Sequence, residues 1–183
     1  MSRMIRSFLT SLAVLASVVT AVPAYAQRAG ESGLIDPRSG RFSTRVFANE
    51  PARDPDTLSA SAATVWAALP AVYDTLAVPL TLVDTASRVL GAVRVAVRRP
   101  IAGNRLSFLL ECGTGVYGPA ADSYAVQLTL VSVVRPVDAT HSALETRVEG
   151  DAAQNGVNSS VHCGSTGRLE AKVVQLLRKE LGL

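Results

Sequence analysis

The sequence predicts an α+β fold: a two-layer domain in which a roughly five-stranded antiparallel sheet carries an N-terminal and a C-terminal helix on one face, in a helix-grip-like outline. Three observations predict it. Apolar residues recur at spacings of three and four over Val65–Leu76 and again over Leu169–Leu177. Between these stretches, five segments alternate apolar and polar residues at the two-residue period of half-buried strands. The punctuation between the segments is short, which favours antiparallel neighbours.

Before this domain come two segments of different composition. Arg3 and Arg6 precede an apolar run from Phe8 to Val22, and Ala24-Tyr25-Ala26 precedes Gln27. A charged start, an apolar run too short for a comfortable span and an A-x-A site predict a cleavable signal peptide over residues 1–26. The expected destination is periplasmic or extracellular, with no stable membrane span after cleavage and no cysteine at the cleavage point to carry a lipid. Residues 27–56 are rich in Gly, Pro, Arg and Asp and read as a flexible lead-in, with Phe42, Thr44, Val46 and Ala48 alternating in the pattern of one edge strand. Residues 57–183 are the expected α+β domain, a length for one core.

Ser59 or Ser61 is placed to cap the first helix, whose stripe is Val65, Trp66, Leu69, Val72, Tyr73 and Leu76. Pro70 lies inside that stripe and predicts a kink or a break. A first strand is expected over Val78–Asp84. In the second, Val89, Gly91, Val93, Val95 and Val97 point one way while Arg88, Arg94 and Arg98 point the other. After a turn at Pro100–Asn104, Leu106, Phe108 and Leu110 form the inner face of a third strand, with Cys112 also inward. Residues 123–134 make the fourth and longest strand, and Leu144, Thr146 and Val148 the inner face of the fifth, opposite a solvated ladder of Glu145, Arg147 and Glu149. Residues 151–165 read as a polar loop into the second helix, whose stripe is Leu169, Val173, Leu176 and Leu177.

The formal charge of +3 falls to +1 when Arg3 and Arg6 leave with the signal. The basic residues are dispersed, whereas a surface for polyanions shows a clustered stripe, so no nucleic-acid partner is expected. Two cysteines, Cys112 and Cys163, are the number that closes one bridge in an oxidising compartment. A disulfide between them accounts for both without chemistry. A thiol enzyme would need one of them beside His141 or His162, and a metal site would need all four to converge without any C-x-x-C or H-x-x-x-H spacing. No catalytic residue, metal ligand or cofactor is assigned.

Gly113-Thr114-Gly115-Val116-Tyr117-Gly118 resembles a phosphate-cradling loop but lacks the Lys-Ser/Thr that completes one. It reads as a mobile connection in which Tyr117, among Gly113, Gly115 and Gly118, is an exposed aromatic suited to anchoring a partner. Trp66 is the second candidate binding residue, as the reporter of a pocket between the first helix and the sheet.

Val65-Trp66-Ala67-Ala68-Leu69, followed by a strand ending in Asp84 and the strand through Gly91, is similar in outline to the helix-grip domains of the outer-membrane-assembly lipoprotein family BamC. The resemblance covers about a third of the chain and implies fold alone. Members of that family carry a lipidated cysteine after the signal, which this chain lacks.

The functional expectation is an exported, non-enzymatic envelope protein that binds an envelope protein or another envelope component through a sheet edge or the 113–122 loop. The alternatives are a carrier of a small apolar ligand between the first helix and the sheet, and a thiol-dependent enzyme.

Overall fold

The computed structural model describes residues 54–183 apart from 155, 157 and 158. The expected signal peptide over 1–26 and the lead-in up to residue 53, with its alternating stretch from Phe42 to Ala48, lie outside the described residues.

The fold is α+β with a largely antiparallel sheet and four helices. A short strand β1 (Asp56–Leu58) leads into helix α1 (Ala62–Leu76). Strands β2 (Leu82–Asp84) and β3 (Val89–Val97) follow. The chain then makes an excursion: helix α2 (Leu106–Leu109), strand β4 (Leu110–Glu111), a two-stranded hairpin of β5 (Thr114–Gly115) and β6 (Gly118–Pro119), and helix α3 (Ala120–Ser123). It returns through β7 (Ala125–Pro136), β8 (Ser142–Ala153) and β9 (Ser160–Ser165), and ends in helix α4 (Arg168–Leu181). The main sheet has the order β2-β3-β7-β8-β9-β4, with β1 paired to β8, making seven strands where the sequence predicts five.

Helix α1 starts where the Ser61 hydroxyl accepts the Thr64 amide at 3.2 Å, a cap that stabilises by about 1 kcal/mol. The helix runs on through Pro70 rather than breaking there. Pro70 faces solvent, and the apolar stripe continues on the other side in Val65, Leu69, Val72, Tyr73 and Leu76, all buried. These meet Leu128 and Leu130 of β7, Leu144 and Val148 of β8, and Leu169, Val173 and Leu177 of α4 in one core. Each fully buried Leu or Val contributes about 1.5–3 kcal/mol against exposure.

One polar chain crosses that core. The Tyr73 hydroxyl lies 3.0 Å from Ser132 Oγ and 3.3 Å from the Leu130 carbonyl, and Ser132 Oγ lies 3.0 Å from Thr146 Oγ1. Burial pushes the phenol well above its ordinary value, although the Ser132 contact opposes this. Tyr73 therefore fixes the depth of α1 over β7 as a hydrogen-bonded group rather than as a greasy ring alone.

Four expectations are corrected by the coordinates. The segment from Leu106 to Leu110 is a helical turn entering a short strand, not a third long strand. Its apolar residues also satisfy three- and four-residue spacing, and the turn buries Leu106, Leu109 and Leu110 while leaving Phe108 45% exposed. The polar segment expected as a loop over 151–165 contains β9, which pairs Gly150 with Cys163 and Ala153 with Ser160. Strand β3 does not keep one face: the register with β7 shifts between Ala92 and Val95, where Arg94 has φ +51°. This bulge sends Val89 and Val93 to one face and Val95 and Val97 to the other.

The fourth correction concerns the charge ladder on β8. Glu145 and Arg147 are only 5% and 8% exposed. They lie on the face opposite the helices, beside a second apolar cluster of Leu82, Val89, Val131 and Val133. Glu145 accepts from Arg135 at 2.8 Å and from Arg147 at 3.2 Å, so the carboxylate enters this low-dielectric setting already paired.

Candidate site on the excursion between β3 and β7

Strands β3 and β7 are direct antiparallel neighbours, with Val97 opposite Val126. Such a pair needs a connection of about 2–5 residues. Residues 98–124 stand there instead, so the excursion is surplus to connectivity.

It is held to the body at two places and braced within itself at a third. The first is the disulfide between Cys112 and Cys163, with Cα atoms 4.1 Å apart. Strand β4 pairs with β9 at Leu110–Ser165 and Glu111–Gly164, and the bridge occupies the next rung. Both cysteines are buried, as the alternation predicts for Cys112, and among the described residues no cysteine is free. The second is the start of α4: Thr166 Oγ1 donates to the carbonyls of Phe108 and Leu109, both at 3.0 Å, and the Arg168 guanidinium lies 3.8 Å over the Phe108 ring while donating to its carbonyl. The third is internal. The Asp122 carboxylate on α3 accepts the Ser107 amide at 3.0 Å and its hydroxyl at 2.6 Å, with Arg105 Nε at 3.4 Å. Burial pushes the Asp122 carboxyl up, but the Ser107 bonds and the adjacent Arg105 outweigh it and hold the group below its ordinary value.

The glycine-rich loop is not a free connection: Thr114 pairs with Pro119 and Gly115 with Gly118. Ala120 donates back to the Gly113 carbonyl, and Ser123 Oγ to the carbonyls of Pro119 and Tyr117. Gly115 packs its backbone so tightly on Tyr124 that a Cβ would stand 2.6 Å from the phenol oxygen. Gly118 has φ +107°, a conformation that only glycine takes readily. At the tip, Val116 and Tyr117 are 79% and 80% exposed. A supported hairpin thus holds an apolar and an aromatic side chain out in water.

Beside it is a hollow of about 370 Å³ lined by Arg98, Arg99, Arg105, Asp122, Ser123 and Tyr124 among others. Hairpin and hollow are contiguous, because Ser123 and Tyr124, which line the hollow, also contact the hairpin. Spacing alone does not find this group: Arg98-Arg99 is visible as a pair, but only α2 and α3 bring Arg105 and Tyr124 to it. A larger hollow of about 970 Å³ lies between β8 and α4, with Leu144, Thr146, Glu170 and Val174 in its wall, next to Asp54, where the described chain begins.

Of the residues expected to bind, the structure brings Tyr117, Gly113, Gly115 and Gly118 together in the hairpin. Trp66 is separate. It is half-buried at the edge of the core and lines neither hollow, while its neighbours Val65, Leu69, Val72 and Tyr73 fill the layer between α1 and the sheet. His162 lies 3.7 Å from Asp151 with its ring exposed, and the cysteine beside it is in the disulfide. Among the described residues no helix is long and apolar enough to cross a membrane. The disulfide is compatible with an oxidising, exported compartment.

Comparison with protein families, with curated proteins and with solved structures finds no match.

Proposed function

We propose that the chain is a non-enzymatic binding protein of the cell envelope whose contact surface is the β5–β6 hairpin, with Tyr117 and Val116 as anchors. The observation that supports this reading is the excursion itself: residues 98–124 replace a tight turn, are bridged to β9, and end in two side chains about four-fifths exposed. Loops fixed on a rigid scaffold and carrying exposed aromatics are favoured contact points, since little backbone entropy remains to be lost on binding.

The sheet edge serves this role less well. The terminal strands β2 and β4 have three and two residues, too few backbone donors and acceptors to template an incoming strand. A carrier role would require opening the packed layer between α1 and the sheet. The helix-grip outline and the signal-directed export to periplasm or exterior belong to the same proposal.

A photo-crosslinking residue at position 117, compared in living cells with one at the exposed Val137, tests the reading. A discrete adduct at 117, absent at 137 and lost when Val116 is also changed to Ser, is expected. Equal labelling at both positions, or none at 117, would refute the hairpin as the contact.

A further inference from the structure

We infer that the hollow beside the hairpin is a binding site for a phosphate-class oxyanion, a monoester or diester, clasped by Arg98, Arg99 and Arg105. The inference stands on these arginines and not on what the hairpin tip touches.

Three guanidinium groups and a single carboxylate line the hollow. Arg105 is committed to Asp122, at 3.4 Å, which already accepts from Ser107. For Arg98 and Arg99 no carboxylate partner is found among the described residues, so the charge of the hollow is positive and uncompensated. Elsewhere among the described residues Arg94 pairs with Asp151, Arg135 and the buried Arg147 share Glu145, and Arg168 lies over the Phe108 ring.

Position reinforces charge. Arg98 and Arg99 leave β3 just before Pro100, whose ring restricts Arg99 to extended backbone and holds the pair at the rim. Ser123 and Tyr124 also line the hollow, the Ser123 hydroxyl being already donated to the Pro119 carbonyl. Planar, forked donors match phosphate oxygens two at a time. About 370 Å³ is within the range of small-molecule sites and admits an esterified phosphate with its polar substituent rather than the bare ion alone.

A free ester and a lipid headgroup share this chemistry, and the test separates the two. Purified chain is titrated with inorganic phosphate and with glycerol 3-phosphate by calorimetry at low ionic strength. It is also sedimented with vesicles of phosphatidylcholine, with and without one-third phosphatidylglycerol. Binding of glycerol 3-phosphate supports a free ester, and sedimentation confined to the anionic vesicles supports a headgroup. In either case R98Q/R99Q should weaken binding at least ten-fold, and R94Q, which removes an exposed arginine away from the hollow, should change it less than two-fold. Both variants sit on exposed positions, and a thermal melt shows whether each keeps its fold. No binding to any of the probes overturns the inference, as does binding that R94Q and R98Q/R99Q reduce alike, because the attraction would then be that of net charge alone.

Discussion

Replacing both Cys112 and Cys163 by alanine is the perturbation with the most calculable outcome. The bridge spans a sequence separation of 51. On the chain-entropy model, closing a loop of that length removes about 14 cal/mol/K from the unfolded chain, or about 4 kcal/mol at 25 °C. Total stabilities of single domains are about 5–15 kcal/mol, so the variant should lose a large share of its margin. Two further contributions act in opposite directions: the buried sulfurs leave space behind, while the freed excursion gains local freedom. An expected loss of about 3–5 kcal/mol follows, read as a lowered midpoint in urea with a steeper slope, because the uncrosslinked unfolded chain exposes more surface. The same loss should appear when the unaltered protein is unfolded in reductant. A loss below about 1 kcal/mol by both routes would refute the reasoning. It would mean either that the excursion is held equally well by Thr166 and Arg168 or that the unfolded chain already keeps β4 near β9.

Other expectations follow from single sites. Gly91→Ala places a methyl group against the Leu130 carbonyl oxygen and 2.7 Å from Val131 Cα, both backbone atoms that cannot step aside, so thermal melting should show severe destabilisation, at least about 3 kcal/mol or failure to fold. Tyr73→Phe leaves Ser132 and Thr146 with one another but strips a phenol from a buried chain, and urea unfolding should show a loss of about 1–2 kcal/mol. Asp138, in the turn between β7 and β8, accepts from the Thr140 and His141 amides and from the His141 ring, which hold its carboxyl down at about 2. Because the folded value is depressed, the turn's contribution is complete above the ordinary carboxylate value of 3.8 and is lost as pH falls through about 2. The amide resonances of Thr140 and His141 should therefore titrate with a midpoint near 2, and a midpoint near the ordinary value would contradict the hydrogen bonds.

What the sequence discloses and what it hides have physical causes. The two helices are legible because their stripes are long enough for only one period to fit, and β7 because its alternation runs from Tyr124 to Leu130. The disulfide is legible from compartment and count. Strand β9 is hidden because Ser160, Val161 and His162 are exposed: its pairing is backbone pairing, which leaves no side-chain pattern, and Cys163 is its one buried anchor. The bulge is hidden because Arg94, not glycine, occupies the left-handed conformation. The segment at Leu106–Leu110 is ambiguous in principle, since five residues with three leucines fit either period. In the site, Tyr117 and its glycines are legible as a display loop, whereas the arginine hollow depends on contacts between residues far apart in sequence.

The excursion also contributes to the core, and this decides which variants report on its function. Ile101, Leu106, Leu109, Leu110, Ala120 and Ala121 are all buried in the cluster that α1 and α4 share. Excising residues 98–124 would expose that cluster and remove the disulfide, so lost binding in such a deletion would carry no information about the surface. Val116 and Tyr117 contribute almost nothing to burial. Replacing both by serine should leave the urea midpoint within about 0.5 kcal/mol of the parent, the range of surface changes remote from packing. Leu109→Ala should instead cost about 2–5 kcal/mol. Binding that disappears in the first variant while stability holds belongs to the hairpin tip. If it survives there and fails only with Leu109→Ala, the excursion is a plug that completes the core, and the contact surface lies elsewhere.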